Sequence, residues 1–274
     1  MANLFKTRFP LIGNIYRSHD LHHSTSQTPS STLPGNTSFM VDKIVSMPFF
    51  WGERLKQNVS RGPFHSSVQW MKSRLAMAMN DCQNILKIQD DEDEVEEAEA
   101  TKSLILRLSR YMPKVFPPGS EEGPLAIHHD DISEENIIVC TIHGRITALI
   151  DWECVSCLPL WKTCQFPVYL WGRDRLEQPQ QELYAKTEDG TANEIFTEHL
   201  KEFEKTRLRK LFLARMAQTE PQWIQVFESS SRKADFDLTL EHCDSSLMLK
   251  TIKKWLDNID AGKEYQSLRQ LTLE

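Results

Sequence analysis

The stretch "LAIHHDDISEENIIV", Leu125 to Val139, sets two histidines, two aspartates, two glutamates and an asparagine between two apolar runs. The flanking runs read as short buried strands, so the charge between them sits on a loop that the strands hold in place. Reduced to spacing, the loop is H-x-D-x-x-x-x-N, formed by His129, Asp131 and Asn136. Two apolar segments follow, Ile137 to Ile142 and Ile146 to Ile150, around "HGR" with Gly144 at the turn, which reads as a β-hairpin. Asp151, in "LIDWE", comes directly after it.

Two carboxylates and one amide around a hairpin suit phosphoryl transfer. That reaction asks little covalent chemistry of the protein; it needs a carboxylate near the acceptor hydroxyl and oxygen ligands for a divalent cation. Mg²⁺ takes hard oxygen donors and keeps several water and phosphate oxygens. The spacing therefore assigns Asp131 to the hydroxyl and Asn136 and Asp151 to the metal. His129 is read as a brace for the loop backbone. His128 and Asp130 are read as polar neighbours of the motif, and Glu153 as a residue near the metal or at a helix cap. Cys154-x-x-Cys157 and Cys164 lack the four-ligand set of zinc and the βαβ context of redox motifs, so they are read as small buried residues.

The rest of the chain reads mostly as helix. Residues 2 to 9 form a short one. Val68, Met71, Leu75 and Met79 recur at helical spacing after Ser66, a fair N-cap, and Leu104, Ile105, Leu108 and Tyr111 mark another helix that should stop before Pro113. Further helices are expected at about 192 to 217, 220 to 230 and 244 to 259, with Trp223 and Trp255 as core anchors. "FPLIGNIY" reads as a turn at Gly13-Asn14 and Phe39 to Ser46 as a strand. Residues 18 to 38, rich in Ser, Thr, His and Pro, read as a flexible loop. Asp90 to Glu99 holds eight acidic residues and no basic one, and reads as a disordered loop over 89–100.

Eight of the 39 acidic residues lie in that run, so the remainder, with 32 basic residues in the chain, is close to neutral. That argues against a nucleic-acid groove. No apolar run nears the roughly 18 residues of a membrane span. Six cysteines in 274 residues do not suggest a disulfide scaffold, and the default setting is intracellular and cytoplasmic. Lys6, Arg8 and Arg17 without an early acid keep a mitochondrial setting open, although Pro10 and Gly13 interrupt a presequence helix.

At these residues the chain resembles the aminoglycoside phosphotransferase family, a branch of the protein-kinase-like fold, and its large fungal branch in particular. "RFPLIGNIY", "IVSMPFFWGERL", "SRGPFHSSVQWM", "IHHDDISEENIIV" and "ALIDWECVSCLPLWKTCQFP" carry the likeness over roughly residues 8 to 165. The resemblance implies an α+β, mostly helical single domain over 1–274. It would be the C-terminal lobe of a kinase-like fold, with a small hairpin at the active site and the N-terminal lobe missing or vestigial. It implies Asp131 as catalytic base, Asn136 and Asp151 as Mg²⁺ ligands, ATP as phosphoryl donor and a small-molecule hydroxyl as acceptor.

The departure from the family pattern lies in phosphate binding. No G-x-G-x-x-G occurs among the ten glycines, and Lys43 in "MVDKIV", the strand-like candidate for a phosphate lysine, falls in a C-lobe segment by the same likeness. Activity of the chain as written should be impaired. The alternative is a non-catalytic kinase-like binding or regulatory module, a pseudokinase, with a protein partner over the face that an N-lobe would cover.

Overall fold

The structure is a computed structural model that describes residues 1–21, 31–33, 36–88, 91–117, 119, 123–185 and 193–271. It is α+β and mostly helical. One antiparallel five-stranded sheet is built from β1 (Gly13–Arg17), β2 (Ser31–Leu33), β3 (Asn36–Asp42), β4 (Leu125–His128) and β7 (Ser156–Pro159), in the order β2-β3-β1-β7-β4. A separate two-stranded hairpin joins β5 (Ile137–Val139) to β6 (Ile146–Leu149). The hairpin reading of 137–150 holds, with Gly144 at φ +62° in the turn.

The helices are α1 (Ala2–Lys6), α2 (Met47–Phe50), α3 (Ser67–Ile88), α4 (Glu92–Val115), α5 (Leu160–Thr163), α6 (Glu194–Thr219), α7 (Pro221–Ser229), α8 (Ser231–Glu241), α9 (Ser246–Asp260) and α10 (Leu268–Leu271). At the start of α3, Ser66 Oγ accepts from Gln69 N at 3.3 Å while Gln69 Oε1 accepts from His65 N at 2.9 Å, a near-reciprocal cap. Trp161, just beyond the sheet, packs on Trp70 of α3 (6.0 Å between centroids) and on Phe116 (5.5 Å). Trp255 of α9 meets the edge of Tyr111 of α4 at 5.8 Å. Trp223 and Trp255 are both fully buried.

Several expectations need correction. Gly13 and Asn14 are not a turn: they lie in β1, paired with Cys157 and Ser156 of β7. Gly13 is there because a Cβ would stand 2.0 Å from the Asp42 carbonyl oxygen. Asn14 is buried and spends its whole amide as a staple. Nδ2 donates to Val155 O (2.9 Å) and Val45 O (3.3 Å), and Oδ1 accepts from Val45 N (2.7 Å) and Ser156 Oγ (3.0 Å). The same staple draws Val45 out of line, so β3 ends at Asp42 rather than Ser46. The loop expected over 18–38 contains β2 and the start of β3, which pair with each other. His19 faces Asp20 at 3.0 Å, and His22 and His23 lie outside the described residues.

The acidic run is not a loop from Glu92 onward but the first turns of α4. Asp91 caps it, accepting from Asp93 N at 2.9 Å, and carboxylates in a first turn face the positive end of the helix dipole. Residues 89 and 90 are outside the described set. α4 also runs through Pro113 to Val115, because Met112 and Val115 are buried in the core and packing outweighs the lost hydrogen bond. α8 was not expected at all. Its buried face carries Asp235, Asp237 and Thr239 beside Phe236 and Leu240, so no apolar periodicity shows. Among the described residues no helix is long and apolar enough to cross a membrane.

Gly13→Ala is expected to cost roughly 2–3 kcal/mol in denaturant unfolding, since the new methyl meets main chain that cannot rotate away. A neutral or stabilising result would mean that β1 and β3 are not this close.

Candidate active site

β4 and β7 are neighbours, and His128 pairs with Ser156 at the mouth of the loop they enclose. Everything from 129 to 155 is one excursion closed at its base by that ladder. Asn14, bonded to Val155 and Ser156, clamps the returning end. His129, Asp131, Asn136 and Asp151 all belong to it.

Asn136 Nδ2 donates to Asp131 Oδ2 at 2.9 Å and to Asp131 O at 3.0 Å. The amide nitrogen is thereby committed, which leaves Asn136 Oδ1 as a free-standing acceptor. Asn136 is buried and Asp131 exposed. Asn136 O in turn accepts from Ile150 N at 3.0 Å, which carries the backbone of Asp151 to the same end of the hairpin. Asp151 is exposed, has no hydrogen bond or ion pair among the described residues, and sits at φ +62°. That is a conformation side chains enter at a cost, tolerated best by Asn and Asp.

His129 lies beneath. It is 5% exposed, its Nε2–H donates to the Ile150 carbonyl at 3.0 Å, and its ring meets Trp152 edge-on at 5.2 Å. It ties the start of the loop to the residue before Asp151, a bracing position. The spacing thus brings Asp131 and Asn136 into side-chain contact, Asp151 alongside through backbone, and His129 onto Ile150, the residue before Asp151.

The fit to a divalent cation can be judged from the donors. Asn136 Oδ1 and the Asp151 carboxylate are hard oxygens without a hydrogen bond or ion pair among the described residues. No group of three or more His, Cys, Asp or Glu side chains clusters to hold a metal among the described residues. That is the sparse donor set Mg²⁺ accepts when phosphate and water oxygens supply the rest. The cysteines do not compete. Cys157 and Cys164 are buried, which pushes both thiols up to about 12, and burial also raises Cys154.

A second set of residues includes His128 and Asp130, which the sequence shows only as polar neighbours of the motif, and three it does not single out. His128 Nε2 and Asp130 Oδ1 pair at 3.1 Å. Burial pushes the Asp130 carboxyl up, but the His128 hydrogen bond and charge more than offset this, with Lys162 adding to them, so it sits below the ordinary range. This pair lines a cleft of about 230 Å³ between the sheet, α3, α5 and α8, together with Ile132, Trp70, Phe166 and Trp171.

On the cleft floor Asp237 of α8 bridges two cations. Lys162 Nζ donates to its Oδ2 at 2.6 Å, and Arg74 Nη1 donates to its Oδ1. Desolvation would raise this carboxyl, yet Lys162 and Arg74 hold it far below the ordinary range. The signal could not be read in one dimension, since Arg74, Lys162 and Asp237 come from three separate helices. Lys43 is exposed and does not line this cleft.

With the geometry in hand, comparison with known proteins is direct. Residues 60–162 match the family model described as phosphotransferase enzyme family. The family resemblance read from the sequence is borne out. The matched segment runs from the loop before α3 to Lys162 and contains His129, Asp131, Asn136 and Asp151. A subtelomeric hrmA-associated cluster protein of Aspergillus fumigatus is 23% identical over 202 aligned residues, which take in 61% of this chain and 38% of that protein. Its counterpart in a second strain of the same fungus gives the same figures. The chain thus spans about two fifths of the length of these relatives. No solved structure matches it.

The geometry separates the buried His129 from the exposed Asp131. His129→Ala is expected to cost about 2 kcal/mol, since it empties a buried site and strips the Ile150 carbonyl of its donor. Asp131→Ala should stay within about 0.7 kcal/mol of the parent, being exposed and leaving the bond from Asn136 to Asp131 O intact. Chemical unfolding of both variants checks the order, and a reversal would assign Asp131 the structural role.

Asp237 predicts a pH dependence. Its folded-state carboxyl is depressed, so its contribution is present at neutral pH and is lost as pH falls below the unfolded value of about 4. Asp237→Asn should flatten the acid limb of the stability profile, and Asp237→Ala should cost about 3–5 kcal/mol by leaving two cations uncompensated. An unchanged acid limb would contradict the bridge.

Proposed function

We propose that this chain is a kinase-like phosphotransferase domain that moves the terminal phosphoryl group of ATP to a hydroxyl of a small molecule. The observation that carries the reading is the contact of Asn136 Nδ2 with Asp131 Oδ2, made at the hairpin end where Asp151 emerges. One side-chain amide fixes a carboxylate through its nitrogen and keeps its oxygen for a cation.

In this reading Asp131 receives the proton of the acceptor hydroxyl as the oxygen approaches phosphorus, and Asn136 keeps the carboxylate turned toward it. Asn136 Oδ1 and Asp151 hold Mg²⁺, which when bound neutralises charge on the phosphate oxygens. His129 keeps Ile150, and hence Asp151, in register with the loop. The cleft lined by Asp130 and Ile132, the chain neighbours of Asp131, takes the acceptor. The sequence holds no G-x-G-x-x-G to cover the phosphates. Removing one preorganised contact to developing charge costs on the order of 100- to 1000-fold in rate, so turnover by this chain alone is slow in our reading. Six free cysteines, four of them buried, support an intracellular, reducing setting.

A second reading has its own observation. Ile138, Val139, Ile142, Ile146 and Trp152 are all exposed on or beside the hairpin, Ile142 at 83%. A non-catalytic module that covers this apolar face with a protein partner accounts for that, while leaving the free oxygens of Asn136 and Asp151 unexplained.

Thermal unfolding with and without Mg·ATP separates the two. The phosphotransferase reading expects a Tm rise that needs both metal and nucleotide and is lost in Asp151→Asn. No shift in the parent chain, or an equal shift in the variant, sinks it.

A further inference from the structure

The cleft floor carries more cation than anion. Arg74 is 6% exposed and Asp237 is 2% exposed, while the Lys162 side chain is 24% exposed. These three groups, two buried and Lys162 half-buried, are two cations and one carboxylate. Lys162 has three N–H donors and gives one to Asp237; Arg74 has five and gives one to Asp237 among the described residues. Arg74 lines the cleft beside Lys162.

The lining as a whole holds three carboxylates and three cations, so the surplus of cation is local to the floor. Asp130 is held by His128, Asp237 is already shared by two cations, and Glu241 stands exposed at the rim. Arg269 adds a third cation to the lining, its guanidinium 5.5 Å from the ring centre of Trp171. Trp70, Phe166 and Trp171 add aromatic surface to the walls. On the floor a cationic guest would find the Asp237 carboxylate taken, while an anionic guest would find the donors of Lys162 and Arg74, aimed by Asp237.

We propose that this cleft binds a small molecule through an anionic group, carboxylate or phosphate, seated against Lys162 and Arg74 with an apolar body between the aromatic walls. That this molecule is the phosphoryl acceptor rests on the function proposed above; that the site takes an anion does not. An acceptor of this class would carry its negative group away from the reacting hydroxyl, with Asp237 acting as a positioning residue for the two cations.

Isothermal titration of the full chain without nucleotide tests this, using four probes of one shape: phenyl phosphate, benzoate, benzyl alcohol and benzylamine. Saturable binding of phenyl phosphate or benzoate ahead of the other two is expected, and the tighter anion identifies the group. Lys162→Met should weaken the anion by roughly 10-fold, and Lys162→Arg should restore it to within about threefold, because Arg74 still pairs Asp237 in both. The proposal is overturned if benzylamine or benzyl alcohol binds as tightly as the anions, if neither anion saturates, or if Lys162→Met binds them like the parent. Should Lys162→Met not fold, the order of the four probes on the parent decides alone. No step uses ATP or metal, so failure here and failure of the Mg·ATP shift are separate results.

Discussion

The site depends on one closure. β4 hands the chain to the loop at His128, β7 takes it back at Ser156, and those two residues face each other in the ladder. An excursion this long, from 129 to 155, would lose considerable entropy on ordering if only its own turns held it. Fixing both ends in adjacent strands removes most of that freedom before any functional contact forms. Asn14 completes the clamp from β1, and Gly13 lets β1 come close enough to do so. Two residues near the start of the chain therefore govern where a carboxylate more than a hundred positions later can sit.

Within the excursion the side chains divide their work. Asp131 and Asn136 pair at the hairpin end, whereas His128 and Asp130 pair on the cleft wall. His129 joins the two halves from below through the Ile150 carbonyl. The loop thus separates the Asp131–Asn136 pair at the hairpin end from the His128–Asp130 pair on the cleft wall within a few residues. The charge of the wall is set from elsewhere, by Asp237 across Arg74 and Lys162. A buried bridge of this kind contributes little net stability over an apolar equivalent, but it fixes two donors in place, which is what recognition of an anion requires.

What could be read from the sequence followed from local rules. The strand–loop–hairpin pattern, the long helices and the placement of His129, Asp131, Asn136 and Asp151 in one loop and hairpin all depend on periodicity and turn residues. What could not be read depended on distant partners. Gly13-Asn14 looks like a turn until the Asp42 carbonyl and the Val45 and Ser156 groups are seen around it. α8 looks like a polar connection because Asp235 and Asp237 occupy its buried face. The acidic run looks like a loop by charge alone, yet its carboxylates sit where a helix start favours them. In the cleft, Arg74, Lys162 and Asp237 are separated by so much chain that no motif could join them.

The proposed reaction requires Asn136 and Asp151 to hold a divalent ion beside the Asp131 carboxylate. Titrating substoichiometric Mn²⁺ into the isotope-labelled chain and following amide resonances tests it most directly, because paramagnetic broadening falls off steeply with distance from the ion. The account predicts that amides around Asp131, Asn136 and Asp151 broaden first, and that Asp151→Asn removes the effect there. Broadening confined to the acidic start of α4, around Asp91 to Glu97, with the loop and hairpin untouched, would contradict it.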